Sequence, residues 1–337
     1  MTEIIDFESY PLRETIGILL RDKTTKKHII WATRSYEENG IEFTADRQMM
    51  LQHINRIAPI ILTPRKNKAL SQQQVRTRKH AEVFTPSWIC NKMNNYCDEE
   101  WFGRKEVFNV EKGDSWETKE GKVEFPQGKS WKKYIDTTHL EITCGEAPFL
   151  VSRYDTSTGE EIGIGERIGI LDRKLRIVNE NTETEEEWFK WTVRAYQSTY
   201  GYEYQGDNLL IGRINLLMTF AENIEYKWGR QATRRELRKI ANIIAWNIWQ
   251  MDGKTDCTPY GIPSENFEQI SLFGKETDSP PDKTEREETV QLSLFGDETT
   301  ENTENTEETP QQIQCRIYDW RADRSIVFAT LKERRRK

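Results

Sequence analysis

The stretch TRRELRKIANIIAWNIWQMDG, residues 233–253, constrains the fold more than any other part of the chain. Leu237, Ile240, Ala241, Ile244, Ala245, Ile248 and Met251 recur at helical spacing, and Ile243, Trp246 and Trp249 fill a second face. A helix apolar on two sides has to be packed between other layers, so it is expected to be largely buried in the core of a domain. Thr233 and Glu236 have the spacing of a capping box at its start, and Gly253 is placed to stop it. Core packing accounts for its aromatic residues without any ligand.

Other segments predict the elements around this helix. THLEITC (138–144) is rich in β-branched and apolar residues and reads as a strand that ends at Gly145. From Thr182, NTETEEEWFKWTVRAYQ predicts a helix, with Thr182 and Glu185 at capping spacing and acids crowding the first turn. TYGYEY (199–204) predicts a short aromatic strand. QGDNLLIGRINLLMTFAENI then turns helical, with Leu209, Leu210, Arg213, Leu217 and Phe220 near one stripe. Residues 103–133 predict a long loop or hairpin insert, and 314–331 alternate like a hairpin before the tail KERRRK. Strands interleaved with helices indicate an α/β fold.

Charge is unevenly spread. Net charge is −7 over 337 residues, but residues 275–310 hold twelve acids and three bases, a local −9, which leaves +2 for the rest. A slightly basic body with an acidic linker does not exclude a nucleic-acid partner. Residues 64–80 carry six cations (Arg65, Lys66, Lys68, Arg76, Arg78, Lys79), which suit either a solvated helix face or phosphate contact. Five cysteines at scattered spacings, with no C-x-x-C pair, indicate neither a zinc knuckle nor a disulfide framework. No run of eighteen apolar residues occurs, and MTEIIDFESY is not signal-like. A cytoplasmic protein that does not enter the membrane is expected. The organisation expected is an N-terminal region of unknown function (1–75), a ligand-binding α/β domain (76–263), an acidic disordered linker (264–313) and a short C-terminal hairpin with a basic tail (314–337).

EITCGEAPFL (141–150) places a glycine turn after a strand, where backbone N–H groups can meet a ligand. Glu203, ending the next strand, is either an exposed strand-end acid or an acceptor for two ribose hydroxyls. Phe84-Thr85-Pro86, in AEVFTP (81–86), is an ordinary helix entry unless a ligand lies beside it.

In this order the three segments resemble the S-adenosylmethionine site of the amino-type DNA methyltransferases, above all the adenine-N6 enzymes of restriction-modification systems. AEVFTP is similar to their E-V-F-T-P segment, EITCGEAPFL to their D-P-A-C-G-S-G-x-F-L turn, and YGYE…GRINLL (201–217) to their G-x-D/E strand and A-R-x-N-L helix. The likeness spans roughly residues 76–253. It implies a Rossmann-like methyltransferase sheet with S-adenosylmethionine as cofactor and DNA as partner. Phe84, Thr85 and Pro86 would lie along the cofactor. Glu141 would replace the first-turn Asp, Cys144 and Gly145 would form the turn beneath the methionine moiety, and Glu203 would hold the ribose. Ala147 and Glu146 depart from the family's Gly and Ser or Thr. A Cβ and a second negative charge there weaken binding, unless Glu146 meets the cofactor's ammonium or sulfonium.

The resemblance also implies a catalytic Asn/Asp-Pro-Pro-Tyr/Phe loop that holds the flipped adenine and its amine. No such tetrapeptide occurs; the single Pro-Pro, at 280–281, sits in the acidic linker. In larger relatives a segment like IYDWRADRSIVF (317–328) precedes that loop, so this chain is expected to be a cofactor-binding front half whose loop lies on a second chain, with the sheet incomplete at its far edge. The alternative is a non-catalytic DNA- or partner-binding subunit with a vestigial pocket; a methyltransferase of RNA or protein is a third reading. Two peptides in the linker, Gln269 to Phe273 and Gln291 to Phe295, resemble the Gln-Leu-Ser-Leu-Phe peptide that docks on the replication sliding clamp. They suit either that partner or packing back onto the protein's own surface.

Overall fold

Three short strands from distant parts of the chain lie side by side and parallel. In this computed structural model, residues 5–54, 85–261 and 312–334 are described. In chain order they form α1 (Ile16–Leu19), α2 (Leu51–Ile54), α3 (Ser87–Phe102), β1 (Asn109–Lys112), β2 (Ser115–Thr118), α4 (Trp131–Asp136), β3 (His139–Glu141) and α5 (Ile170–Asn181). There follow α6 (Glu185–Gln197), β4 (Thr199–Glu203), α7 (Gly206–Trp228), α8 (Arg234–Asn247), β5 (Ile248–Gln250), β6 (Arg316–Asp319), β7 (Arg324–Val327) and α9 (Ala329–Arg334). The central sheet runs β3-β4-β5, with His139 opposite Thr199 and Glu203 opposite Gln250. Parallel neighbours need long crossovers. Helices α5 and α6 supply the first, α7 and α8 the second. All three carboxyl ends therefore lie on one side: Glu141, Glu203 and Gln250. The chain is thus mixed α/β with a three-stranded parallel sheet, plus two antiparallel hairpins, β1–β2 and β6–β7.

One apolar core runs from Phe7 in the N-terminal residues to Ile248 at the start of β5. A smaller cluster joins Tyr202 and Trp249, paired neighbours on β4 and β5, to Cys315, Ile317 and Phe328 of the C-terminal hairpin. Strand residues alternate between faces, so the hairpin covers one face of β4–β5 while Ile248 turns to the main core. The outer strand β3 is less covered: Leu140 is 43% exposed, and Ile142, just past its end, 63%. None of the helices described is long and apolar enough to cross a membrane.

Buried charges fasten the layers. Arg213 of α7, fully buried, donates from Nε to Ile248 O (2.7 Å) and from its Nη atoms to the carbonyls of Leu19, Arg21 and Ala245. It thereby ties the entry of β5 to the N-terminal residues. Lys174 of α5 donates to Thr137 O (2.7 Å) and Ser198 Oγ (2.7 Å), beside the starts of β3 and β4. Arg173 pairs with Asp98 of α3 and also reaches Asn91 and Asn95.

Three local expectations are corrected. The long apolar helix ends at Asn247; Ile248, Trp249 and Gln250, all buried, form β5. The periodicity runs through the break, because apolar residues such as Ile248 and Trp249 suit a buried parallel strand as well as a helix. The expected Thr182 cap is not used. Thr182 closes α5, its hydroxyl donating to Val178 O (2.8 Å), and Thr184 caps α6 by accepting from Glu187 N. The capping box of Thr233 with Glu236 does form. Trp246, expected in the core, is half-exposed and packs on Tyr318.

Candidate functional site

The turn after β3 is bonded to the carboxyl end of β4. Gly145 N donates to Glu203 Oε2 at 2.8 Å, and Gln205 N donates to Oε1 at 3.1 Å. The pairing of the strands continues past β3, Cys144 N donating to Tyr202 O (2.8 Å), and this carries the turn across the end of β4. Within the turn, Thr143, Gly145 and Ala147 all have left-handed backbone, with φ of 47°, 54° and 65°. The turn rests on α7. A Cβ on Gly212 would lie 3.0 Å from Gly145 O.

Two carboxylates share this end of the sheet. Glu203 is 6% exposed. Burial raises its pKa, opposed by the amides of Gln205 and Gly145 and reinforced by the charge of Asp207. Glu141 is raised further, well above the ordinary 4.5. Burial is the main cause, the Phe149 amide opposes it, the charge of Glu203 adds to it, and the Leu150 amide opposes it. None of those groups is a cation. Glu141 Oε2 is sealed from solvent and accepts no hydrogen bond. A buried carboxyl oxygen with no donor is costly, and a cationic ligand group is one chemistry that would satisfy it. Cys144, fully buried beside both acids, has its thiol pKa driven up by burial and then by their charge, so it is not a nucleophile.

Glu146 turns to protein partners. Its carboxylate accepts from Tyr154 OH (2.7 Å), and Asn215 Nδ2 donates both to Glu146 O (3.1 Å) and to the phenol oxygen Oη of Tyr154 (3.0 Å). Thr85 and Pro86 lead into α3 and are held by the loop after the turn. Ser87 N donates to Asp155 Oδ2 (2.8 Å), and Thr156 Oγ1 donates to Thr85 O (2.9 Å). Asn94 of α3 donates to Phe149 O (3.0 Å), fastening that helix to the turn. Cys90, one turn into α3, feels the charge of Glu141 after the effect of its own burial. The structure thus joins Gly145 directly to Glu203 and links Thr85 and Pro86 to the turn through α3. Phe84, the cations of 65–79, Pro280-Pro281 and both Gln-to-Phe peptides lie outside the described residues.

Two other residues of this end make contacts that the sequence does not show. Gln250, ending β5, accepts from Ile30 N (2.9 Å) and donates to Ile30 O (2.9 Å), docking the N-terminal residues beside the site. Asp207, in the first turn of α7, accepts from Tyr36 OH (2.7 Å). A helix-start acid at Asp207 is visible in the sequence; its pairing with Tyr36 is not. Comparison with protein-family models, curated proteins and solved structures finds no match for this chain.

Proposed function

We propose that the carboxyl end of the sheet binds S-adenosylmethionine, and that the chain is the cofactor-binding part of a DNA adenine-N6 methyltransferase of the restriction-modification type. The sheet is then a Rossmann-like one, with the ligand at the carboxyl ends of its strands. The observation that carries the reading is the contact of Gly145 with Glu203 beside the unpartnered oxygen of Glu141. One cationic nucleoside meets both demands. Its ribose hydroxyls donate to the remaining lone pairs of Glu203, which as a carboxylate has about four acceptor sites and uses two on amides. Its ammonium satisfies Glu141. When bound, the cofactor supplies a methyl group on a sulfonium; the chain's own residues bind and orient it.

These 337 residues contain no Asn/Asp-Pro-Pro-Tyr/Phe tetrapeptide, so under this reading the target-base loop comes from outside them. The outer position of β3, with Leu140 exposed on it and Ile142 exposed just after it, supports addition of a strand there from a second chain. The same absence favours the alternative, a non-catalytic subunit that keeps the pocket. Calorimetric titration with S-adenosylmethionine tests the pocket: saturable binding is expected, lost in Glu203→Ala. A folded protein that takes up no ligand overturns the reading. Methyl transfer to DNA, measured alone and with a candidate second chain, separates enzyme from subunit.

A further inference from the structure

In the last turn of α8, just before β5, two lysines stand over one indole. Lys23 Nζ lies 5.8 Å and Lys26 Nζ 5.2 Å from the centre of the Trp246 ring. The ring is buttressed by Tyr318 (5.2 Å between centroids), and Tyr318 by Trp320 (4.5 Å), whose Nε1 donates to Asn247 Oδ1 (2.8 Å). The turn that carries the lysines is fastened to the hairpin, Arg316 N donating to Thr24 Oγ1 (3.0 Å).

The indole holds these ammonium groups without neutralising them. Among the described residues Lys23 has a neutral hydrogen-bond partner, Asn242 Oδ1 at 2.6 Å. Burial pushes its pKa down to about 8, and the charges of Arg213, Lys26 and Arg21 add to the fall, outweighing Asp22. Of the bordering acids, Asp136 is paired with Arg194 and Arg321, whereas Asp22, accepting from Thr24 N and Thr25, and Asp323, accepting from Tyr318 OH, keep their charge, so the face carries cations beside two acids.

The positive charge continues along the outer face of α8. Arg235, Arg238 and Lys239 are exposed there, on the stripe that contains Asn242 and Trp246. The sole acid of α8, Glu236, is taken by Arg230 and Thr233. From Arg235 to Trp246 the helix rises about 16 Å at 1.5 Å per residue. A single phosphate would meet one end of such a row. A duplex, advancing about 3.4 Å per base pair, presents a line of phosphates along all of it.

We propose that this face, formed by α8, the turn at residues 22–27 and the β6–β7 hairpin, binds the phosphate backbone of duplex DNA. The inference does not use the cofactor pocket, and it stands or falls apart from it.

The test uses the full chain and a fluorescein-labelled duplex of arbitrary sequence, about 20 base pairs long, followed by anisotropy between about 50 and 200 mM salt. Lys23→Glu with Lys26→Glu and Arg238→Glu is expected to weaken binding about tenfold or more and to reduce the salt slope by about two to three, at roughly 0.9 per phosphate contact. Lys105→Glu with Lys112→Glu and Lys122→Glu makes the same change in net charge elsewhere and is expected to leave the affinity within about threefold. Trp246→Ala, which changes no charge, is expected to weaken binding severalfold and Trp246→Phe much less. Circular dichroism checks that each variant is folded. Absence of binding by the wild type, or equal effects of the two triple variants, overturns the proposal. Titration of the first triple variant with S-adenosylmethionine is expected to match the wild type, so failure here is distinguishable from failure of the cofactor reading.

Discussion

Gly145 donates its amide hydrogen to Glu203 Oε2 across 2.8 Å, joining residues 58 positions apart in the chain. This bond couples the turn after β3 to the end of β4. Glu203→Gln can keep one acceptor, but its amide nitrogen must then face the N–H of either Gly145 or Gln205. Leaving a buried donor unmet costs about 1–3 kcal/mol. A fall of that size in urea-unfolding stability is expected, with loss of S-adenosylmethionine binding. Unchanged stability would mean that the bond contributes nothing in solution.

Arg173 and Asp98 form a fully buried ion pair between α5 and α3, with Tyr134 OH donating to the same carboxylate (2.6 Å). Arg173→Met strands that carboxylate. A loss of about 3–5 kcal/mol is expected, because the remaining charge has nowhere to be solvated. Adding Asp98→Asn should recover much of it. A double variant whose loss equals the sum of the single losses would show that the two groups act independently.

Gly206, which opens α7, lets the N-terminal residues close onto the site. A Cβ there would lie 2.0 Å from Ile30 O and 2.9 Å from Met49 Sδ. Alanine is normally the better helix former, but here the strand of chain at residues 28–50 would have to move. Gly206→Ala is expected to destabilise by about 3 kcal/mol, the upper end for overpacking. Thermal unfolding measures it; a stabilised variant would contradict the contact.

Ala147 carries a Cβ at φ 65°, where an L-residue pays about 1–2 kcal/mol. Glycine removes that strain at a cost of about 0.5–1 kcal/mol in unfolded-state freedom. Ala147→Gly is therefore expected to be neutral or slightly stabilising and to tighten ligand binding at the turn. Chemical denaturation and cofactor titration read the two effects separately.

Local signals made some of this legible and long-range ones did not. The Thr233–Glu236 box, the strand that ends at Glu203 and the alternation of residues 316–327 are short-range patterns, and each has its element in the structure. The identity of β5 was hidden because Ile248, Trp249 and Met251 continue the helical repeat of α8. Only pairing with β4, set by tertiary contact, makes that stretch extended. The clasp of Gln250 on Ile30 crosses 220 positions and leaves no trace in either local sequence. At the candidate site the Gly145 turn and the Glu203 strand end were legible as separate pieces. That Glu141 would be left with an unpartnered oxygen was not, because burial is a property of the packed protein.

Glu141 offers a test in which the proton is the readout. Its folded pKa lies well above the ordinary 4.5, chiefly through burial, so above about pH 4.5 the native carboxyl keeps a proton that the unfolded chain loses. For an acid raised in this way, the contribution to stability is full below about pH 4.5 and is lost as pH rises toward the folded value. Glu141→Gln should remove that slope, gaining stability relative to the wild type as pH rises above about 4.5 in urea titrations. A cationic ligand reverses the balance. An ammonium beside the carboxyl favours its charged form, so binding should expel the proton. Titration with S-adenosylmethionine in two buffers of different ionisation enthalpy is expected to show release of up to about one proton by the wild type and none by Glu141→Gln. Binding without proton release by the wild type would place the ammonium elsewhere and leave Glu141 as a purely structural acid.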